Sequence, residues 1–528
     1  MESAMNTPQQ PHESNGVSRR DFVKGSAAAA GTTLLAARSN VSVAAASPTP
    51  DTGMYGLIYF DTEDFVSPPD APTHTLPGQL ADIMHHHGMQ GCFHIHGERA
   101  RYWERHRMTA PIESIRRHDV SLHFDRGSIH PTTAEEVSGL DWFRGVDRVL
   151  FRELPGIQAL ERIFGRCSAI TQHGGTFAAQ IVYAAGKLGR PFFYSPFRLP
   201  GRNVVWFCNN LLIGGYQAPF YFDQVYRDTP RFEANLAKVN GYLDERARSV
   251  DFTAMFGCHP VIAIADRFPD AINFTNGATP APKDWIAPRI VPGVSIPLVL
   301  KNFERLIVTL VRHPKVKWTT VAGIHRVYGQ RPVRVPDAEV LRGAEAVVRQ
   351  GGPTWTPTLS AAELLVLLAR RVLAQASSYE VPQVMGPTEE PPAVVESHDA
   401  AAPAELATAI LSAVLDSGYL PAVVPTGKGP VSLEFAMLRL ACQATGSRLP
   451  PEHQRRLSID AAPGVADAIT SLKRAKTWRI HGPRYLQAGI LQHFRLQCWT
   501  VKPAFRPHEY DGKVEIGRDL NPMFEHGV

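Results

Sequence analysis

The six cysteines of this 528-residue chain, Cys92, Cys167, Cys208, Cys258, Cys442 and Cys498, include no Cys-x-x-Cys pair. That absence excludes a cysteine-built zinc site and the disulfide framework of a small scaffold. An excess of one charge is also lacking: 55 basic and 50 acidic residues leave a net charge of +5, too balanced to imply a nucleic-acid partner or an anionic surface. Beyond the N-terminal segment no apolar run reaches the roughly 18 residues of a membrane span, so no integral span is expected in the mature form. What remains is a chain with 44% hydrophobic residues, long enough for two or three domains with real cores.

The first 46 residues read as a processing segment rather than as fold. Ser18-Arg19-Arg20-Asp21-Phe22-Val23-Lys24 carries paired arginines, Ala27 to Ala37 is a short, weakly apolar stretch, and Ala44-Ala45-Ala46 offers a small-residue cleavage site. The pattern resembles a twin-arginine signal peptide, and it predicts a periplasmic or extracellular protein.

From Tyr55 to about Ile324, short apolar runs alternate with helical patterns, the signature of parallel βα units. Strands are expected at Gly56 to Phe60, Gly91 to His96, Val120 to Phe124, Ala169 to Gln172, Phe192 to Ser195, Val204 to Cys208, Phe252 to Cys258 and Val316 to Thr320. Helical spacing falls between them, at Leu80 to His87, Thr133 to Arg152 and Ala178 to Leu188. The fold class predicted is α/β: a distorted parallel β/α barrel over residues 47–335, with about seven strands. A helix and a linker rich in Pro, Glu and Ala are expected over 336–402, then a mainly helical C-terminal module over 403–528.

Three segments place chemistry where a parallel barrel puts function, at or just past the C-terminal ends of strands. Phe60-Asp61-Thr62-Glu63-Asp64-Phe65 packs three acids into four residues after an apolar strand; one can bind a cation and another, held off it, can serve as a base. His118-Asp119-Val120-Ser121-Leu122-His123-Phe124-Asp125 ends a second strand on an imidazole and runs on through Gly127 to His130-Pro131. Two imidazoles with one carboxylate leave an open position for water on zinc. Phe256-Gly257-Cys258-His259-Pro260 closes a late strand with a histidine able to protonate a leaving amine. The run His85-His86-His87 is read as a solvated helix face, because adjacent helical residues point different ways.

The order of these sites resembles the polysaccharide deacetylase family with the NodB homology domain, carbohydrate esterase family 4, over about residues 54–325. Met89 to Ala100 is similar to the family's second strand and its Gly-Glu turn, and Val316 to Thr320 to its closing strand. The resemblance implies Asp61 as catalytic base, His259 as general acid and a divalent metal, zinc, on Glu63 or Asp64 with His123 and a second histidine. The family spaces its metal histidines four apart, whereas His123 and His130 are seven apart. Over a helix that is about 10 Å of rise, too far for two rings on one ion, so a loop has to return His130; Asp125 is the competing ligand. The family's Arg-x-Pro motif, whose arginine holds the catalytic aspartate, is replaced by Thr171-Gln172-His173-Gly174-Gly175-Thr176.

The function implied is that of an exported, metal-dependent hydrolase removing N-acetyl groups from a polysaccharide or cell-wall glycan, with His173, Asn273 and Trp285 lining the substrate site. The long histidine spacing and the missing arginine leave two alternatives: an amidohydrolase of the same fold acting on another linear or cyclic amide, or an inactive wall-binding protein. In either case the C-terminal module is a candidate for cell-wall attachment.

Overall fold

A computed structural model describes residues 53–214, 221–392, 399–474 and 480–518. The segment read as a signal peptide lies outside these residues. A ten-stranded sheet is laid down by β1 (Met54–Thr62), β2 (Cys92–Ile95), β3 (Asp119–Leu122), β4 (Ile170–Thr171), β5 (Phe192–Phe193), β6 (Val204–Phe207), β7 (Asn210–Ile213), β8 (Phe252–Cys258) and β9 (Val316–Trp318). Its tenth strand, β12 (Lys502–Pro503), comes from the far end of the chain. The order is β12-β6-β7-β5-β4-β3-β2-β1-β8, with β9 beside the start of β1. All neighbours are parallel except β6, which runs against β7 and β12. The expected parallel β/α architecture is present as a curled half-barrel.

All eight strand positions expected from the sequence are strands. The helical stretch expected over Thr133 to Arg152 divides into Thr133–Val137 and Trp142–Phe164, because the Asp141 side chain accepts the Arg144 N–H and starts a new helix. β7 escaped the sequence reading, since two residues separate it from β6 and the two strands read as one apolar run.

Alternation along the strands sorts side chains to two sides. Leu57, Tyr59, Cys92, Ala169, Phe193, Phe252, Ala254 and Phe256 pack with one another inside the curl, while Ile58, Phe60, Phe93, Val120 and Ile170 face the surrounding helices. The inward parity continues past the apolar floor into Asp61 and Glu63, His94 and His96, Ser121 and His123, Thr171 and His173. Strand register puts Asp61 opposite His94 and His94 opposite Ser121. A ring of polar groups therefore sits at the C-terminal rim, above an apolar floor.

The C-terminal residues pack onto this body as one compact unit with it. Helices Asp337–Gln350, Ala361–Leu373, Pro403–Ser417 and Leu433–Thr445 share a core, and β10 (Gln330–Pro336) joins β11 (Ser378–Glu380) and β13 (Glu515–Arg518) in a small antiparallel sheet. At the seam Lys502 Nζ, fully buried, donates to both oxygens of Glu363 at 2.8 and 2.7 Å. The stretch read as a linker is itself fastened: Met385 N–H donates to Gly418 O and Gly386 N–H to Gln497 Oε1.

Candidate active site

Eight side chains converge at the rim. Glu63 Oε1 lies 3.2 Å from His123 Nε2 and 3.4 Å from His173 Nε2. Asp61 Oδ1 is 2.9 Å from His94 Nδ1, and its Oδ2 is 3.7 Å from His259 Nε2. Asp223 holds the other side of His259, accepting its backbone N–H at 2.7 Å and standing 3.2 Å from Nδ1. Asp270 lies 3.9 Å from His173.

His259 reaches the site through a bulge. Tyr59 pairs with Phe256 but Phe60 pairs with Cys258, so Gly257 is an extra residue in β8. Without it Cys258 would inherit the inward parity of Phe256. The bulge turns Cys258 into the outer core and His259 into the site. Only glycine fits there, since a Cβ would overlap the Phe60 ring.

The tautomer of His123 follows from its partners. Thr171 Oγ1 donates its single proton to Leu122 O at 3.2 Å, so at 2.8 Å it accepts one from His123 Nδ1. His123 Nε2 is then a lone pair aimed at the Glu63 carboxylate, which is also electron-rich. Two acceptors at that distance are repulsive unless a proton or a cation lies between them. Burial lowers the pKa of His123 and disfavours the proton. Glu63, His123 and His173 therefore have the donor chemistry and the preset lone pair of an ion site.

Electrostatics follow the same geometry. Burial pushes Glu63 up, but the charge of His173 and a hydrogen bond from it outweigh burial and hold the carboxyl well below the usual range. Burial likewise raises Asp61, and the hydrogen bond from His94 and the charge of His259 bring it down. Burial lowers His259, yet Asp223 with Glu63 and Asp61 lifts it to about 10. Burial and the nearby Glu63 raise Asp270 to about 6.

Several expectations are corrected. His130 is no part of the cluster: Nδ1 meets Glu135 Oε2 at 2.6 Å and Nε2 meets Phe274 O at 2.7 Å, so both ring nitrogens are engaged in joining loops. Asp125, its rival, pairs with Arg101 at 2.7 Å on the helix side. Asp64 turns away from Glu63 and accepts the Val66 and Ser67 N–H groups. Asn273 is engaged by its own loop, bonding Pro269 O and both backbone groups of Ile286, and Trp285 packs on Phe65 and Phe274. His173, expected to line a substrate site, lies in the cluster itself. His94, Asp223 and Asp270 were not singled out from the sequence; His94 shares the inward parity of Cys92, the signal that could have found it.

No family model and no curated protein matches the chain. Among solved structures, it is similar to one named as a polysaccharide deacetylase from Mycobacterium smegmatis, at 16% identity and a TM-score of 0.33, covering 54% of this chain and 93% of that one. The family 4 carbohydrate esterase from Streptomyces lividans in complex with acetate follows at 12% identity, TM-score 0.26, 49% of this chain and 88% of that one. The 4-alpha-glucanotransferase from Thermococcus litoralis is similar at 8% identity, TM-score 0.32, covering 51% and 39%.

Proposed function

We propose that this chain is an exported, metal-dependent hydrolase that removes the acetyl group from an N-acetylated sugar. The observation that carries the reading is the preset His123 Nε2 lone pair converging with His173 on Glu63, whose Oε1 lies 3.9 Å from His259, itself 3.7 Å from Asp61. Glu63, His123 and His173 would hold the ion, zinc by the preference of two imidazoles and a carboxylate, and it would polarise the amide carbonyl and acidify water.

The remaining residues divide the proton work. Asp61 is kept ionised and accessible at the rim, and it takes the proton of the attacking water. His94 fixes the angle of that carboxylate. His259, charged through Asp223, gives its proton to the departing amine nitrogen, so the sugar leaves as a neutral amine at neutral pH. Acid and base thus face one another across the gap between Asp61 and His259, the arrangement that hydrolysis of an amide needs.

Export rests on the twin-arginine pattern at the N-terminus; among the described residues no helix is long and apolar enough to cross a membrane. The decisive experiment measures acetate release from N-acetylglucosamine and its oligomers by the mature protein, before and after EDTA and on adding back zinc. Release that stops with EDTA and returns with zinc supports the reading; release indifferent to the chelator, or no release with zinc present, overturns it.

A further inference from the structure

Among the described residues the candidate site is open on one side only. Asp61, Asp223 and His259 keep 16, 16 and 20% of their side chains exposed, whereas Glu63, His123 and His173 keep 7, 2 and 2%. Two structures account for the closed side.

The first is a stitch between loops. His130, from the loop after β3, bonds Glu135 with one nitrogen and Phe274 O, from the segment after β8, with the other. Beneath it Phe65, Tyr102 and Phe274 form a small apolar cluster with Trp285 against it. The loops that follow β1, β3 and β8 are thereby joined over the rim.

The second comes from the C-terminal module. Ile480 O accepts the Gly277 N–H at 3.0 Å, Gly482 N–H donates to Glu135 Oε1 at 2.5 Å, and Leu486 N–H donates to Ser138 Oγ at 3.1 Å. Gly482 and Gly277 approach so closely that a Cβ on either would overlap the other's Cα. Between these anchors His481 lies flat on Tyr485, ring centroids 4.1 Å apart and 3° from parallel, beside Gly175, two residues beyond His173. The segment forms a wall across the His173 side.

Among the described residues the open side offers one aromatic surface. Phe256 and Phe268 flank the His259 ring at 4.7 and 4.6 Å, and Tyr221, 46% exposed, stands edge-on to Phe256. One platform beside one acid suits the apolar face of a single sugar ring.

We infer that the site is an end-on pocket: its substrate is a free N-acetylated monosaccharide or the terminal residue of a chain, never an interior residue of a polymer, and Ile480 to Leu486 is its specificity wall. This rests on the deacetylase reading above. A continuous chain needs room on both sides of the reacting residue, and the His173 side provides none. The C-terminal module thereby becomes part of the site instead of a separate attachment device.

The test uses the full mature chain loaded with zinc and the series from N-acetylglucosamine to its β-1,4 hexamer. With an end-on pocket, kcat/KM stays within about threefold from dimer to hexamer, since distant sugars add no binding energy, and mass spectrometry places every lost acetyl group on a terminal residue. His481→Ala combined with Tyr485→Ala should open the wall and raise the hexamer-to-dimer ratio of kcat/KM about tenfold or more. A wild-type kcat/KM that climbs about tenfold from dimer to hexamer, or interior residues deacetylated, overturns this inference and leaves the deacetylase reading standing. No acetate from any member of the series overturns both.

Discussion

His94 Nδ1 and Asp61 Oδ1 meet at 2.9 Å from matched register positions on adjacent parallel strands. The imidazole is clamped by stacking on Tyr59, 5.1 Å away and 22° from parallel, and by Phe193 at 4.8 Å, so its direction is set by packing. On the deacetylase reading it would supply, from the second strand, the support that the resembled family draws from an arginine. Removing it leaves Asp61 ionised by its other neighbours but free to rotate. His94→Ala should lower kcat about 10- to 100-fold with little change in KM, the size of effect typical of groups that orient a reacting residue. Steady-state kinetics on an N-acetylated sugar check this; an unchanged kcat would show that Asp61 needs no such support.

His173 and His130 give a contrast that metal analysis can read. His173→Ala removes a donor from the Glu63 and His123 set, and zinc affinity should fall by at least about 100-fold, beyond the loss typical of supporting residues. His130→Ala leaves that set intact and should keep one zinc per chain. It deprives Glu135 and Phe274 O of a buried partner, however, at a stability cost of about 1–3 kcal/mol. Competition titration and calorimetry on the two variants separate the roles. Loss of zinc from His130→Ala would return that residue to the ion site.

Glu153 predicts a pH-dependent weakness away from the chemistry. It is fully buried in helix Trp142–Phe164, accepting the Asp125 N–H at 2.7 Å and the Thr133 hydroxyl at 2.6 Å. Burial pushes its pKa from an ordinary 4.5 up to about 7. An acid raised on folding contributes stability that is complete below pH 4.5 and lost as the pH climbs through 7, where it must ionise in the core. Glutamine offers an oxygen to Asp125 and an amide to Thr133 without a charge. Wild-type Tm should therefore fall between pH 5 and pH 8 relative to Glu153→Gln, with the two curves meeting at the acid end; parallel curves across that range would refute the assignment.

How much was readable before folding depends on which interaction placed each residue. The parallel strands were legible, because β1 and β8 carry long apolar runs between turn residues. Asp61, Glu63, His123 and His259 were legible as chemistry because each stands at the end of such a run. His173 was noticed but given another place, since the resembled family's ligand set of one carboxylate and two histidines pointed to His130 in spite of its spacing, and nothing local reveals that His130 joins two loops 144 residues apart. His94 was readable in principle from its parity with Cys92. The role of Asp223 was not, as it comes from the far side of β8 and meets His259 only through tertiary packing. The same holds for His481, whose nearness to the site depends on the C-terminal segment folding back onto loops after β3, β4 and β8.

Asp223 and His259 supply the sharpest test of the proton assignment. Burial by itself would depress the His259 pKa; the charge of Asp223, its hydrogen bond and the two rim carboxylates reverse the sign and lift it to about 10. His259 therefore stays protonated through neutral pH, and a reaction that uses it as acid should lose rate on the basic side as His259 deprotonates. Asp223→Asn keeps an oxygen to accept the His259 backbone N–H, made at 2.7 Å in the wild type, so the ring keeps its anchor while the charge is gone. With the main raising influence removed, the histidine pKa must fall, and the basic limb of kcat against pH should move down by about one unit or more. The acidic limb, set by Asp61, should stay in place. A basic limb that does not move would mean that another group protonates the leaving nitrogen, and Asp223 would then serve only to hold the loop before helix Thr229–Ser249.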